Sequence, residues 1–276
     1  MLHQTIPLWE KGQYSARDGS DFQPTLATYV LEGNKKRGSV LICPGGGYER
    51  TSPREAEPVA LQFAAAGFHA FVLYYSVSPN RHPQPSLDVS RAMNIIREHA
   101  DTWNVDTHKI AVCGFSAGGH LAASLGVYWD KPYLSHGAGL EQDWNQPNAL
   151  ILCYPVISAG QFAHRSSFEH LLGTDANAMI THEMSLEHHV NAKTPPTFLW
   201  HTYEDTSVPV ENSLLFATGL REQRIPFEMH IYPEGAHGIS LATDETDDGR
   251  GKDTHVSGWM KLCTEWLCQI FDTPRR

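Results

Sequence analysis

The chain has 276 residues, 41% apolar and 19% charged, which is enough to bury a full core and has the balance of an ordinary globular protein. A formal net charge of −10 with no basic run argues against nucleic acid and anionic membrane as partners. The five cysteines form no CxxC pair, the opening stretch holds no apolar signal core, and no segment is long enough to span a bilayer; the expectation is a cytoplasmic protein with reduced thiols.

Strands are expected at 39–43, 69–75, 109–113, 149–156, 197–202 and 227–232. These runs are rich in Val, Ile, Leu and aromatics and mostly lack period-two alternation, as strands covered on both faces should. Helices are expected between them. The stretch 86–100 sets Val89, Met93, Ile96 and Ala100 on one face behind Pro85, and 117–128, 210–223 and 256–271 read similarly. Strand–helix alternation predicts one α/β domain over 1–276, with a mainly parallel central sheet wrapped by helices on both faces. The stretch 158–193 breaks the rhythm and is rich in histidine and hydroxyl residues, so it reads as a small cap insertion over one end of the sheet.

Gly114-Phe115-Ser116-Ala117-Gly118 stands between a strand and a helix. That pattern makes a turn too tight for side chains at its flanks, and it pushes the serine out as a nucleophile. The N–H of Ala117 would then open the helix and face developing negative charge. After the 39–43 strand, Cys43-Pro44-Gly45-Gly46-Gly47-Tyr48 leaves backbone donors uncovered, so Gly46 or Gly47 is expected to supply the second half of an oxyanion hole. Bulky Tyr48, next in line, is expected to narrow the acyl side of the site. Asp205 follows the 197–202 strand, with Glu204 as its adjacent rival, and His237 lies in a glycine-flanked loop after the last strand. The order Ser, Asp, His is that of a hydrolase triad.

The segments PGGGY, GFSAGGH, HTYEDTSVP and PEGAHG together resemble the α/β-hydrolase esterases, and more narrowly the bacterial acetylesterase group related to dienelactone hydrolases and acetyl xylan esterases. Pro44 stands where the lipase and esterase branch usually carries the histidine of His-Gly-Gly-Gly. The resemblance implies an α/β-hydrolase fold and a serine esterase removing short acyl groups, acetyl above all, from sugar-like alcohols such as acetylated xylo-oligosaccharides. The expected partner is that small-molecule ester, with no cofactor and no metal; a homo-oligomer is compatible with the sequence. A general short-chain esterase or lipase, a serine peptidase sharing Asp-x-x-Val-Pro, and a non-catalytic binding member of the fold are the rival readings. The last requires a broken triad, and every triad position here holds a competent residue.

Three other patterns fail. His182-Glu183 lacks the second histidine of HExxH, since Leu186 stands there, and adjacent His188 and His189 point apart on a helix. Asp244 to Gly249 has Thr246 at a calcium-ligand position and His255 where a bidentate glutamate belongs. Cys113 lies just before the elbow, but Ser116 holds the nucleophile position.

Overall fold

Apolar strands buried on both faces require a layer of helices on each side. The computed structural model describes residues 1–137 and 144–272, so 138–143 and 273–276 of the expected domain lie outside the described residues. Among them the strands are β1 (Leu2–Pro7), β2 (Thr25–Val30), β3 (Arg37–Cys43), β4 (His69–Tyr74), β5 (Val105–Phe115), β6 (Ala149–Cys153), β7 (Thr197–Thr202) and β8 (Phe227–Tyr232). They form one eight-stranded sheet in the order β1-β2-β4-β3-β5-β6-β7-β8. From β4 to β8 every pairing is parallel, while β2 runs antiparallel to both of its neighbours.

The helices are α1 (Glu57–Ala65), α2 (Gln84–Glu98), α3 (Ala100–Trp103), α4 (Ala117–Tyr128), α5 (Pro132–Gly137), α6 (Arg165–Leu172), α7 (Ala178–Glu183), α8 (Glu211–Glu222) and α9 (Trp259–Asp272). Successive strand residues feed opposite cores. Leu41, Val112, Leu150 and Leu199 pack with α2, α4 and α8 on one face. Val40, Ile42, Cys113, Ile151 and Trp200 pack with α1 and α9 on the other. This is the α/β-hydrolase fold that the sequence predicts.

Five elements outside the 158–193 insertion were not expected: β1, β2, α1, α3 and α5. The strand expected at 149–156 stops at Cys153, because Tyr154 turns to φ 36°. The insertion at 158–193 holds α6, α7 and a short 3-10 turn, Leu186–His188, between β6 and β7.

The chain steps from β3 to β4 on one side, then crosses back so that β5 lies on β3's other side. The carboxyl ends of β3 and β5 therefore flank a topological switch point, where open α/β sheets leave a crevice for ligands. The glycine loop follows β3 and the serine elbow follows β5. No helix among the described residues is long and apolar enough to cross a membrane. All five cysteines are free thiols. Burial pushes the thiols of Cys43, Cys153 and Cys263 well up, which keeps them protonated packing groups.

Candidate active site

β5 ends at Phe115 and α4 begins at Ala117, so Ser116 alone makes the turn, at φ 52° and ψ −118°. A side-chain-bearing residue held there costs about 1–3 kcal/mol, which the surroundings must offset. Ser116 N–H donates to Cys153 O at 3.0 Å, and Ser116 O accepts from His120 and Val156 N–H at 3.1 and 3.0 Å. The flanking glycines are sterically required. A Cβ on Gly114 would stand 2.1 Å from Gly118 O, and one on Gly118 would stand 2.1 Å from Cys43 O.

Three strand ends converge on this serine. Ser116 Oγ lies 2.7 Å from His237 Nε2, and His237 Nδ1 lies 2.6 Å from Asp205 Oδ2. The other carboxylate oxygen of Asp205 accepts from Ser207 and Val208 N–H at 3.0 and 2.9 Å. His201, buried beneath, brings Nε2 within 3.4 Å of Asp205 Oδ2. Burial by itself raises the Asp205 carboxyl. Hydrogen bonds from His201 and His237, the charge of His237 and the Val208 N–H more than reverse this, holding it well below the usual carboxylate range. Asp205 is thus an ionised acceptor that fixes His237 with Nε2 toward the serine. Glu204 is exposed, and the His237 Nδ1 bond goes to Asp205 instead.

Beside the elbow runs the glycine loop after β3. Gly45 N–H is already given to Glu55 Oε2 at 2.8 Å, and Gly46 O accepts from Glu49 and Arg50 N–H. Gly46 and Gly47 have φ 125° and 67°, and a Cβ on Gly46 would come 2.2 Å from Arg50 O. Both line, with Ser116 and His237, a cleft of about 220 Å³. The Ala117 N–H sits in the first turn of α4, where no intrahelical acceptor exists.

Tyr48 is placed otherwise than expected. It is 2% exposed, and its hydroxyl lies 2.9 Å from His120 Nδ1 on α4. Its ring packs edge-on against Tyr75, and it is not among the residues lining the cleft. The positive φ of 58° at Tyr48 goes with a side chain folded into the core, where it props the glycine loop from below. Burial draws His120 down to about 4, so this partner is a neutral imidazole, passing its other nitrogen to Met184 O.

Several cleft residues were missed by sequence reasoning. His164 and His170 come from the histidine-rich insertion, whose composition was the one available signal. Glu55 and Arg54, in the loop before α1, gave no signal at all. Arg54 donates to Gly238 O and Thr246 O at 2.7 and 2.8 Å, tying down the loop that carries His237. Among the described residues no group of three or more His, Cys, Asp or Glu side chains could hold a metal. In the acidic 244–249 loop Asp244 pairs with Lys252, Asp248 with Arg54 and Arg250, and Asp247 accepts from the Gly249 N–H.

A protonatable base between a serine and a buried carboxylate, beside free backbone donors, is a constellation for acyl transfer. The BD-FAE family model matches residues 28–220. Over 97% of this chain and 96% of its own, an acetyl ester-xyloside bifunctional hydrolase from Caldicellulosiruptor lactoaceticus superposes with a TM-score of 0.86 at 40% identity. Endo-1,4-beta-xylanase B of Butyrivibrio fibrisolvens is 39% identical over 251 residues, and the acetylxylan esterase of Xylanibacter ruminicola 27% identical over 249. Each match takes in 88% of this chain but only 39% and 49% of those proteins, so the chain spans less than half the length of either relative. Motif order, strand topology and these likenesses converge: the chain belongs to the BD-FAE family and has an α/β-hydrolase fold.

Proposed function

We propose that this protein is a serine esterase that removes short acyl groups, acetyl above all, from sugar-like alcohols such as acetylated xylo-oligosaccharides. The carrying observation is the hydrogen-bonded chain Ser116–His237–Asp205 opening onto a small, polar cleft. His237 takes the Ser116 proton as Oγ attacks the ester carbonyl, and Asp205 stabilises the imidazolium that results. The oxyanion forms beside the N–H of Ala117 and that of Gly46 or Gly47. His237 then protonates the departing alcohol, and water attacks the acyl-enzyme by the same route in reverse.

The short-acyl assignment draws support from the lining of the cleft. Each buried methylene of a fatty chain asks for about 0.8 kcal/mol of apolar cover. A cleft of about 220 Å³ walled by Arg50, His164, Ser166 and His170 offers little such cover and many hydrogen-bonding groups. The sugar is supported by two relatives, one named an acetyl ester-xyloside bifunctional hydrolase and the other an acetylxylan esterase. The five free thiols support a reducing compartment, the cytoplasm, with an oligosaccharide rather than polymeric xylan as substrate.

The test is a series of p-nitrophenyl esters run beside acetate release from acetylated xylo-oligosaccharides. The expected result is kcat/KM falling by about tenfold or more from acetyl to octanoyl, with acetate released from the sugar. Equal rates on octanoyl defeat the short-acyl assignment. Acetyl-ester turnover with no acetate from any oligosaccharide leaves an esterase and removes the sugar.

A further inference from the structure

Glu55 is a buried carboxylate that the acyl-transfer steps do not use. It is 3% exposed and stands close to the nucleophile: a Cβ on Gly45 would lie 2.8 Å from Glu55 Oε2 and 3.0 Å from the Ser116 Cβ. Both its oxygens are committed. Oε2 accepts the Gly45 N–H at 2.8 Å, and Oε1 accepts the Tyr154 hydroxyl at 2.6 Å. Tyr154, 1% exposed, then accepts the Ser240 N–H on its own oxygen at 3.0 Å.

This chain of bonds joins three segments that converge only in the folded protein. Gly45 opens the glycine loop, Tyr154 immediately follows β6, and Ser240 follows His237 by three residues. Tyr154 is fastened at both ends. Its backbone sits at φ 36°, with its N–H on Trp200 O at 2.8 Å, and the carbonyl just before it receives the Ser116 N–H. Its ring lies edge-on to His237 with centroids 5.2 Å apart. The histidine loop is thereby held at two points just after the base: Gly238 O by Arg54, and Ser240 N–H by Tyr154.

Burial pushes the Glu55 carboxyl up, and the bonds from Tyr154 and Gly45 pull against that. A buried carboxylate is a poor device for stability alone, since apolar residues of equal volume stabilise a core as well or better. A carboxylate with two fixed acceptors and a tyrosine with one donor and one acceptor do supply geometry.

We infer that Glu55 and Tyr154 form a positioning brace that locks the glycine loop to the histidine loop, so that oxyanion donors, nucleophile and base keep one reactive geometry. The inference rests on the esterase reading above. Neither residue hydrogen-bonds to the reacting atoms. They act through Gly45 and Ser240, and misplacement of a catalytic group by even 1 Å costs on the order of 100-fold.

The test compares Tyr154→Phe, Glu55→Gln, their double variant and Ser116→Ala with the parent on an acetyl ester, with active sites counted by burst titration. Tyr154→Phe keeps the ring and its packing, and so remains informative if Glu55→Gln folds poorly. The expected result is kcat per active site down about 10- to 100-fold in each single variant with KM within about twofold. The double variant should be no worse than the poorer single one, since either change breaks the same brace. Tyr154→Phe with parental kcat per active site, or a change confined to KM or to the melting temperature, overturns the brace. So does a double variant whose losses multiply. Turnover retained by Ser116→Ala overturns the esterase reading itself, and is thus distinguishable from failure of the brace alone.

Discussion

The imidazole of His164 lies nearly parallel to that of His237, with ring centroids 6.4 Å apart and 21° between the planes. His164 belongs to the insertion between β6 and β7, and its Nδ1 is taken by Ser167 Oγ at 2.8 Å. Burial and the neighbouring charge of His237 lower its pKa, so at neutral pH it offers Nε2 as an uncharged hydrogen-bonding atom on the cleft wall. A single neutral hydrogen bond is worth about 0.5–1.5 kcal/mol, or roughly 2- to 12-fold. His164→Ala should therefore lower kcat/KM on an acetylated xylo-oligosaccharide by about that factor more than on p-nitrophenyl acetate. Equal losses on both substrates would show that His164 supports His237 rather than the sugar.

Ser116→Ala and His237→Ala should each abolish turnover, by about 10⁴-fold or more, with the fold intact by circular dichroism. Asp205→Asn should cost roughly 10³- to 10⁴-fold, because the amide cannot hold the imidazole in the tautomer that accepts from Oγ. Glu204→Gln, altering an exposed neighbour, should stay within about twofold. If the Glu204 variant is the impaired one, the acid has been misassigned.

The pH dependence has a fixed sign. Asp205, held below the carboxylate range, stays ionised throughout any practical assay, so it contributes no acid limb. The base must be neutral to accept a proton, so kcat/KM should fall toward acid pH. The same depressed Asp205 contributes stability that is present above about pH 4 and lost below it, as the carboxylate protonates. A profile flat from about pH 5 to 9 would remove histidine as the base.

Gly118→Ala should be strongly destabilising. Its Cβ would meet Cys43 O at 2.1 Å and Pro44 O at 2.4 Å, both backbone atoms that cannot swing aside. Overpacking of that kind should cost about 3 kcal/mol or more, seen as a melting temperature lower by several degrees. Gly258→Ala, where a Cβ meets nothing within 4 Å, is the matched control and should melt like the parent.

The residues of GFSAGG alone determined the elbow, because its requirement is steric and local: a strand, one exposed serine, a helix, and no side chains where the two crowd. The alternation of apolar strands with amphipathic helices likewise announced a parallel sheet, and the order Ser116, Asp205, His237 came from counting strand ends. β1 and β2 escaped that reading. β1 is mostly exposed and has no apolar pattern of its own; it pairs only with β2, which in turn pairs with β4. Tyr48 was misread for a related reason. Its neighbours in sequence are cleft glycines, but its partner His120 lies 72 residues away and draws it into the core. Glu55 and Tyr154, 99 residues apart, carry no local signature whatever, because a buried carboxylate becomes intelligible only when the donors that satisfy it are brought in by other strands. Local sterics can be read along a chain. Hydrogen bonds between distant segments exist only once the sheet has assembled them.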